Sequence, residues 1–308
     1  MQFKTDMADE RRDIYKKANN LENEINGIKC ELEEKPEIKI TRVQISNEEG
    51  KMALNKEIGN YVTIDIKKIN NISDIQKEAI ISAFSIELQN ICKNFIKDGD
   101  DVLVFGLGNK NLVADALGSK VIDNIKVTRH INKFFPERFS GNSRSVSAIS
   151  PGVMGLTGIE TIEIVKGIVQ NINPKLIIAI DSLASKNMER INKSIQISDT
   201  GIVPGSGVKN SQKGLNEANI GIPVIAVGVP TVIESSIIIN DAINLFIDKL
   251  KKSNKSKYFD ELKNQDNYEK IKESLNPKNL NLIVTPKEID ELVQEMASII
   301  STGINNTL

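Results

Sequence analysis

Histidine and cysteine are scarce in this sequence, which limits the kinds of site it can form. His130 is the only histidine, whereas a zinc hydrolase normally uses three protein ligands that often include histidine. The two cysteines, Cys30 and Cys92, are too few for a disulfide framework and are typical of a reducing compartment. Cys92 lies at helical spacing among apolar residues, which predicts a packed core thiol. A zinc site and a disulfide scaffold are therefore both disfavoured.

Long apolar runs and an excess of charge are also missing. No run approaches the roughly 20 apolar residues that cross a bilayer, and the most apolar helix candidate, residues 233–247, contains Glu234 and Asp241. The N-terminal residues are charged from the fourth position, unlike the apolar core of a signal peptide. Because 40 basic and 41 acidic residues leave a net charge of -1, there is no basic footprint for DNA or anionic lipid. We expect a soluble cytoplasmic protein with no direct nucleic-acid or membrane partner.

The sequence does contain a repeated pattern of buried strands and helices. Residues 102–105, 176–180 and 223–227 are continuous apolar runs separated by helical patterns, as in parallel strands covered on both faces, and the last run leads into a helix predicted from about residue 231. Residues 37–45 and 61–66 alternate at period two, which predicts antiparallel or edge strands. We expect an α/β fold that is doubly wound: a mostly parallel sheet with helices on both faces, similar to phosphorylase/hydrolase-like three-layer folds, plus N-terminal antiparallel or edge strands.

Two aspartates are expected at the carboxyl edge of this sheet, where ligands of open α/β folds bind. Asp181 directly follows the apolar run 176–180, and Asp115 lies in the opening turns of the helix after Gly106-Leu107-Gly108-Asn109. A carboxylate near a helix N-terminus is also an ordinary structural feature, whereas an acid after a buried strand has to be paired, solvated or shifted in pKa. If both face one cleft, one could activate water while the other, protonated, assists a leaving amine. This pattern indicates hydrolysis without a metal, with a carboxylate-rich metal site as the alternative.

Other active-site motifs are incomplete. Asn111 stands where the third glycine of a dinucleotide fingerprint would fall, and neither a Walker loop nor G-x-S-x-G occurs. Three glycine-rich segments, residues 151–158, 199–207 and 228–231, predict loops in which backbone approaches a ligand or an extended peptide, although ordinary loop geometry explains them equally well. A nucleotide-binding or non-catalytic α/β protein therefore stays open as an alternative.

Long, ordered blocks of the sequence resemble the germination protease family of spore-forming bacteria. The blocks include Gly106-Leu107-Gly108-Asn109, Asp115-Ala116-Leu117-Gly118, Pro151-Gly152-Val153-Met154-Gly155, Ala179-Ile180-Asp181-Ser182-Leu183-Ala184 and Gln196-Ile197-Ser198-Asp199-Thr200-Gly201. The resemblance covers nearly the whole chain. More distantly, the G-L-G-N loop and Asp181 resemble those of hydrogenase maturation endopeptidases, which use a metal; the counterpart of their histidine ligand cannot be placed here.

The family resemblance implies a function and a set of site residues. It implies an endopeptidase of the spore core that degrades small acid-soluble spore proteins at germination, with Asp115 and Asp181 as the catalytic pair and no metal or other cofactor. It also implies a homotetramer made as a self-processing zymogen, cut after an acidic residue and before a hydrophobic residue followed by Ala. Asp6-Met7-Ala8 fits that pattern. We therefore expect residues 1–6 to be a propeptide and residues 7–308 a single catalytic domain; without the resemblance, composition predicts only a polar N-terminal arm.

Overall fold

One mixed sheet organises the chain in the computed structural model, which describes residues 5–69, 72–135, 144–203, 213–252 and 282–308. Its strands are β1 (Ile28–Glu34), β2 (Ile38–Ile45), β3 (Gly59–Ile66), β4 (Val102–Gly106), β5 (Val146–Ile149), β6 (Leu176–Ala184), β7 (Ser194–Ser198), β8 (Val224–Glu234) and β9 (Ile283–Val284). Their order in space is β1-β2-β3-β7-β8-β6-β4-β5, and β9 pairs with β8.

The sheet has a parallel part and an antiparallel part. Strands β5, β4, β6 and β8 run parallel to one another, whereas β1, β2, β3 and β7 join in antiparallel pairs that end on β8. Both faces of the parallel strands are covered, which is why β4 is buried along its whole length and its sequence is continuously apolar. The predicted fold class is confirmed, including the N-terminal antiparallel strands.

Helices cover both faces of the sheet. They are α1 (Ala8–Ala18), α2 (Glu48–Leu54), α3 (Asp74–Cys92), α4 (Leu117–Ile122), α5 (Arg129–Phe134), α6 (Met154–Thr157), α7 (Thr161–Ile172), α8 (Glu217–Ile220), α9 (Ser235–Lys252) and α10 (Ile289–Thr307). Helices α3, α4 and α10 pack on one face in the largest apolar core, which contains Cys92 as predicted. Helices α7 and α8 contribute to the core on the other face, and α1 and α2 pack with β2 and β3. Within the described ranges, no helix is both long and apolar enough to cross a membrane.

Two element boundaries differ from the predictions in ways that affect the site. Strand β6 continues through Asp181 to Ala184, so Asp181 lies inside a strand rather than after it. Strand β8 extends to Glu234, so the predicted loop at residues 228–231 is wrong, and the following helix begins at Ser235 rather than near 231. The reason is continued pairing: β8 pairs with β6 as far as Ala184, with a register shift between Leu183 and Ala184, and then adds β9 at its far end.

A close backbone crossing joins the end of β4 to the start of α4. A Cβ atom on Gly118 would lie 2.3 Å from the carbonyl oxygen of Leu107 and 2.8 Å from that of Ile180. The Leu107 N–H also donates a hydrogen bond to the Ile180 carbonyl at 2.8 Å. Glycine at position 118 therefore allows the β4–α4 connection, which carries Asp115, to approach β6 next to Asp181.

Replacing Gly118 with Ala should destabilise the fold, because the new methyl group meets backbone atoms that cannot rotate away. Overpacking of this kind costs typically about 1–3 kcal/mol. Gly167→Ala is the matched control: Gly167 lies in α7 with nothing within 4 Å of its Cβ position, and Ala is favoured over Gly in a helix by about 1 kcal/mol. Denaturant titration should show a lower free energy of unfolding for Gly118→Ala and a higher one for Gly167→Ala; unchanged stability in Gly118→Ala would contradict the close crossing.

Candidate active site

Asp181 is buried on the central strand β6, with 6% of its surface exposed. Its Oδ1 atom accepts a hydrogen bond from the Ser182 N–H at 2.8 Å. Burial is the main reason that its pKa is raised well above the ordinary value, and the charges of Asp115 and Asp6 raise it further. The carboxyl group of Asp181 therefore keeps a proton at pH values where an exposed aspartate is ionised.

Asp115 ends a short 3₁₀ turn between β4 and α4, two residues before α4 begins rather than in its opening turns as predicted. Its Oδ2 atom accepts a hydrogen bond from the Asn109 N–H at 2.8 Å. Gly108 makes this approach possible, because it has a φ of +92° and a Cβ atom there would lie 2.1 Å from the Asp115 carbonyl oxygen. Burial raises the pKa of Asp115, and the hydrogen bond from Asn109 partly opposes that shift.

The structure brings the two predicted aspartates to one place. The charge of Asp115 is the largest effect, after burial, on the pKa of Asp181. The 3₁₀ turn is also tied to β8, since the Thr231 hydroxyl donates to the Ala114 carbonyl at 2.6 Å. Two interacting carboxyl groups titrate as a pair, so that one holds its proton while the other ionises. The arrangement is suited to acid–base chemistry, and the catalytic role of the pair stays a prediction.

An N-terminal segment, residues 5–10, lies buried against the same part of the sheet, and we call it the N-terminal arm. Met7 and Ala8 have no exposed surface, and Asp6 is only 8% exposed. Asp6 makes two hydrogen bonds to Ala184 of β6, each of 2.9 Å: its N–H donates to the Ala184 carbonyl, and its Oδ2 accepts from the Ala184 N–H. The predicted processing residues therefore lie on the strand that carries Asp181, and the expectation of an ordinary polar arm is wrong.

The side chain of Asp6 lies among cationic groups. The positive charge of Arg11 interacts with the Asp6 carboxylate. Loss of solvent, followed by the charge of Arg11, lowers the pKa of Lys56 to about 8, and Asp6 opposes this shift. A cleft of about 210 Å³ borders Asp6 rather than the aspartate pair, and its lining includes Arg11, Lys56, Tyr61, Gln196 and Thr200. The setting favours an acidic side chain at position 6.

The other two acids of the arm, Asp9 and Glu10, are bound by residues that follow β6. The Arg190 Nη2 atom lies 2.6 Å from Asp9 Oδ2. The Glu10 carboxylate accepts hydrogen bonds of 2.9 Å from the Lys186 N–H and from the Ser185 hydroxyl. Buried carboxylates need such partners because an unpaired charge in the interior is strongly destabilising. The arm is therefore fixed along its length by specific polar contacts.

Asp181, Gly228 and Gln196 form one row across three neighbouring strands. Gly228 of β8 is in register with Asp181 of β6 on one side and with Gln196 of β7 on the other. Since residues in register project to the same face of a sheet, Asp181 and Gln196 lie on either side of Gly228, whose lack of a side chain leaves room for that of Leu183, 2.5 Å from its Cβ position. Gln196 is 6% exposed; its Nε2 donates to the Asp6 carbonyl at 3.2 Å and its Oε1 accepts from the Ala8 N–H at 2.7 Å. Sequence reasoning did not single out Gln196 as a site residue.

The remaining predicted features are the single histidine, a metal site and the glycine-rich segments. His130 lies exposed on α5. In the ranges that the structure describes, no three His, Cys, Asp or Glu side chains cluster closely enough to hold a metal ion. Of the glycine-rich segments, residues 151–158 form α6 and its flanking turns, and residues 204–207 lie outside the described ranges.

Comparison with known proteins gives consistent relatives over the whole chain. The family model for germination proteases matches residues 4–258 and 258–308. A germination protease from Clostridium tetani is 44% identical over 313 residues, which cover 100% of this chain and 96% of that protein. One from Priestia megaterium is 39% identical over 99% of this chain and 93% of that protein. A solved nickel–iron hydrogenase maturation protease from Thermococcus kodakarensis has a TM-score of 0.34 and 14% identity, covering 71% of this chain and 99% of that chain.

The mixed α/β fold and the germination protease relatives define the class of protein as an α/β endopeptidase. More particularly, the chain belongs to the germination protease family.

Replacing Asp181 with Asn should stabilise the protein at neutral pH but not at acidic pH. The pKa of Asp181 is raised in the folded state, whereas in the unfolded state it is about 3.9. The protonated Asp181 side chain therefore makes its full contribution to the stability of the folded state below about pH 4. That contribution is lost as the pH rises towards and through the folded-state pKa. Because Asn cannot ionise, the melting temperature of Asp181→Asn relative to wild type should increase with pH. The increase should be about 2–4 °C for each kcal/mol by which the free energy of unfolding of wild type falls relative to that of the variant.

Thermal melts at a series of pH values check this trend. Asp98→Asn is the control, since the Asp98 side chain is fully exposed, and it should show no comparable rise. A constant difference between Asp181→Asn and wild type across the series would show that Asp181 has an ordinary pKa in the folded protein.

Proposed function

We propose that this chain is a self-processing endopeptidase that degrades small acid-soluble spore proteins during germination. The observation that carries the proposal is the position of the N-terminal arm. Its Asp6 residue is hydrogen-bonded to Ala184, three residues along β6 from Asp181, and its charge acts on the pKa of Asp181. A peptide bond next to a carboxyl pair is the arrangement that peptide hydrolysis requires. Residues 1–6 would then be the propeptide and residues 7–308 the catalytic domain.

The two carboxyl groups divide the chemistry according to their environments. Asp181, with the more strongly raised pKa, is the protonated acid, and Asp115, which accepts the Asn109 N–H, is the ionised base. Asp115 takes a proton from water as the water oxygen bonds to the carbonyl carbon of Asp6. Asp181 gives its proton to the nitrogen of Met7 as the carbon–nitrogen bond breaks. Return of the proton from Asp115 to Asp181 resets the pair for another cycle.

The contacts of the arm also support the proposed cleavage specificity. The acidic residue before the bond lies near Arg11 and Lys56. The hydrophobic residue after the bond, Met7, and the following Ala8 have no exposed surface, which favours an apolar side chain and then a small one. A spore protein with an acidic residue, a hydrophobic residue and Ala in succession would make the same contacts. To do so it has to replace the arm, so after processing residues 1–6 must leave and the attached residues 7–10 must move off the sheet.

The proposed assembly and location follow from the family resemblance. We place the protein in the cytoplasm of the forespore and in the spore core, as a homotetramer with no cofactor. Light scattering on the purified chain, whose mass is 34.1 kDa, measures the assembly directly.

Self-processing should depend on both aspartates. General acid–base groups contribute about 10²–10⁴-fold to rates, so Asp115→Asn and Asp181→Asn should each slow cleavage between Asp6 and Met7 by that order. Intact-mass spectrometry of the purified proteins over time measures the cleavage, and Asp98→Asn should process at the wild-type rate. Wild-type rates in both aspartate variants would remove the pair from the mechanism.

The processed protein should cleave acid-extracted spore proteins after acidic residues. It should keep this activity after dialysis against a strong chelator into metal-free buffer, because the proposed chemistry uses only protons. Peptide mapping of the digest by mass spectrometry identifies the cut sites. Loss of activity on dialysis that returns with a divalent cation would favour a metallopeptidase, and thermal stabilisation by a nucleotide without any proteolysis would favour a nucleotide-binding protein.

A further inference from the structure

We propose that Gln196 is a catalytic residue that binds the carbonyl oxygen of the bond to be cleaved and stabilises the negative charge that forms on it. The inference rests on the proposed cut between Asp6 and Met7. In the structure, the Gln196 Nε2 atom donates to the Asp6 carbonyl oxygen at 3.2 Å. If that bond is cut, this oxygen becomes the oxyanion of the tetrahedral intermediate.

The side-chain amide of Gln196 contacts the backbone on both sides of Met7. Its Oε1 atom accepts the Ala8 N–H at 2.7 Å while its Nε2 atom donates to the Asp6 carbonyl. These partners fix the orientation of the amide, because a backbone N–H requires an acceptor and a carbonyl requires a donor. The Asp6–Met7 peptide bond is therefore positioned by a single rigid group whose donor faces the reacting carbonyl.

Gln196 binds this segment directly, and the charge of Asp6 in the same segment acts on Asp181. Asp181 and Gln196 lie in register on either side of Gly228, so their Cα atoms are about 10 Å apart at the usual strand spacing of about 4.8 Å. Gly228 has no side chain of its own, and the Leu183 side chain packs over it, 2.5 Å from its Cβ position. Water activated on the aspartate side pushes electrons of the carbonyl bond onto the oxygen, and that oxygen is the atom bound to Gln196.

Burial makes this donor suited to the role. Gln196 is 6% exposed, and Asp6 and Ala8 are 8% and 0% exposed, so the hydrogen bond lies in a water-poor environment where a preorganised donor acts strongly on a developing charge. The neutral amide does so without adding a further charge to a site that already holds two carboxyl groups. Gln196 also belongs to a paired strand, which limits its freedom to move away.

The test compares Gln196→Glu with Gln196→Met. Glutamate at this buried position keeps an acceptor for the Ala8 N–H and, once ionised at alkaline pH, loses the donor to the Asp6 carbonyl, whereas methionine loses both at similar volume; the rates are therefore compared at alkaline pH. Removal of one oxyanion donor lowers kcat by about 10²–10³-fold, so both variants should process themselves more slowly by that order. Gln44→Glu on β2 is the matched control, because Gln44 is exposed and bonds only weakly to Asn60 at 3.3 Å; it should process at the wild-type rate.

Two further readouts separate catalysis from a structural role. Resistance of the arm to an added protease and the melting temperature report whether the arm stays bound in each variant. Each variant is also processed in trans by tagged wild-type protein, which is then removed, and assayed with a peptide containing Asp-Met-Ala. The proposal predicts a fall in kcat at saturating peptide, even if the arm is loosened.

The outcomes are distinguishable. If wild type cuts between Asp6 and Met7 but both Gln196 variants process within about threefold of it, or if only KM changes for the peptide, Gln196 does not stabilise the oxyanion. If wild type does not cut between Asp6 and Met7 at all, the proposed function is wrong, and the inference about Gln196, which rests on that cut, is wrong as well.

Discussion

A carboxyl group buried inside the sheet is the constraint on which the rest of the site depends. Asp181 lies on a central strand between β4 and β8, and ionising it there costs free energy because water is excluded and the acting charges, those of Asp115 and Asp6, are negative. The group therefore keeps its proton. The fold maintains this condition by covering both faces of β6 and by bringing Asp115 close through the glycine crossing at Gly118. In the proposed mechanism the same cost of ionisation makes Asp181 the acid of the pair.

The N-terminal arm shows how a polar segment becomes part of an interior. Asp6, Asp9 and Glu10 are each partnered by groups more than 170 positions away in the chain, on β6 or just after it. The contacts are chemically different. Asp6 makes two hydrogen bonds to the backbone of Ala184, Asp9 forms an ion pair with Arg190, and Glu10 accepts hydrogen bonds from a hydroxyl group and a backbone N–H. Such specific partners fix the register of the arm on the sheet, and with it the position of the Asp6 carbonyl next to Gln196.

The sequence was sufficient for the layers of the fold but not for the full site. Continuous apolar runs revealed the parallel strands, because strand burial is local information. They placed Asp181 after β6 rather than inside it, because the strand continues beyond the apolar run. The prediction of Asp115 as a site residue depended on the family resemblance, since a carboxylate near a helix start is also explained by the helix dipole. Gln196 was missed because its importance comes from register with Gly228 and from bonds to residues 6 and 8, neither of which is local. The partners of the arm lie far along the chain, so composition alone predicted only a polar arm, and the prediction of a propeptide came from the family resemblance.

Direct attack of water on the Asp6 carbonyl, activated by the aspartate pair, is the central claim. A single round of self-processing in water labelled with heavy oxygen tests it most directly, with the fragments identified by mass spectrometry. The account predicts one heavy atom in the new carboxyl terminus at Asp6, an amino terminus at Met7, and no label in the side chains of Asp115 or Asp181. Label in either side chain, which indicates a covalent intermediate, or a fragment ending at another residue would contradict it.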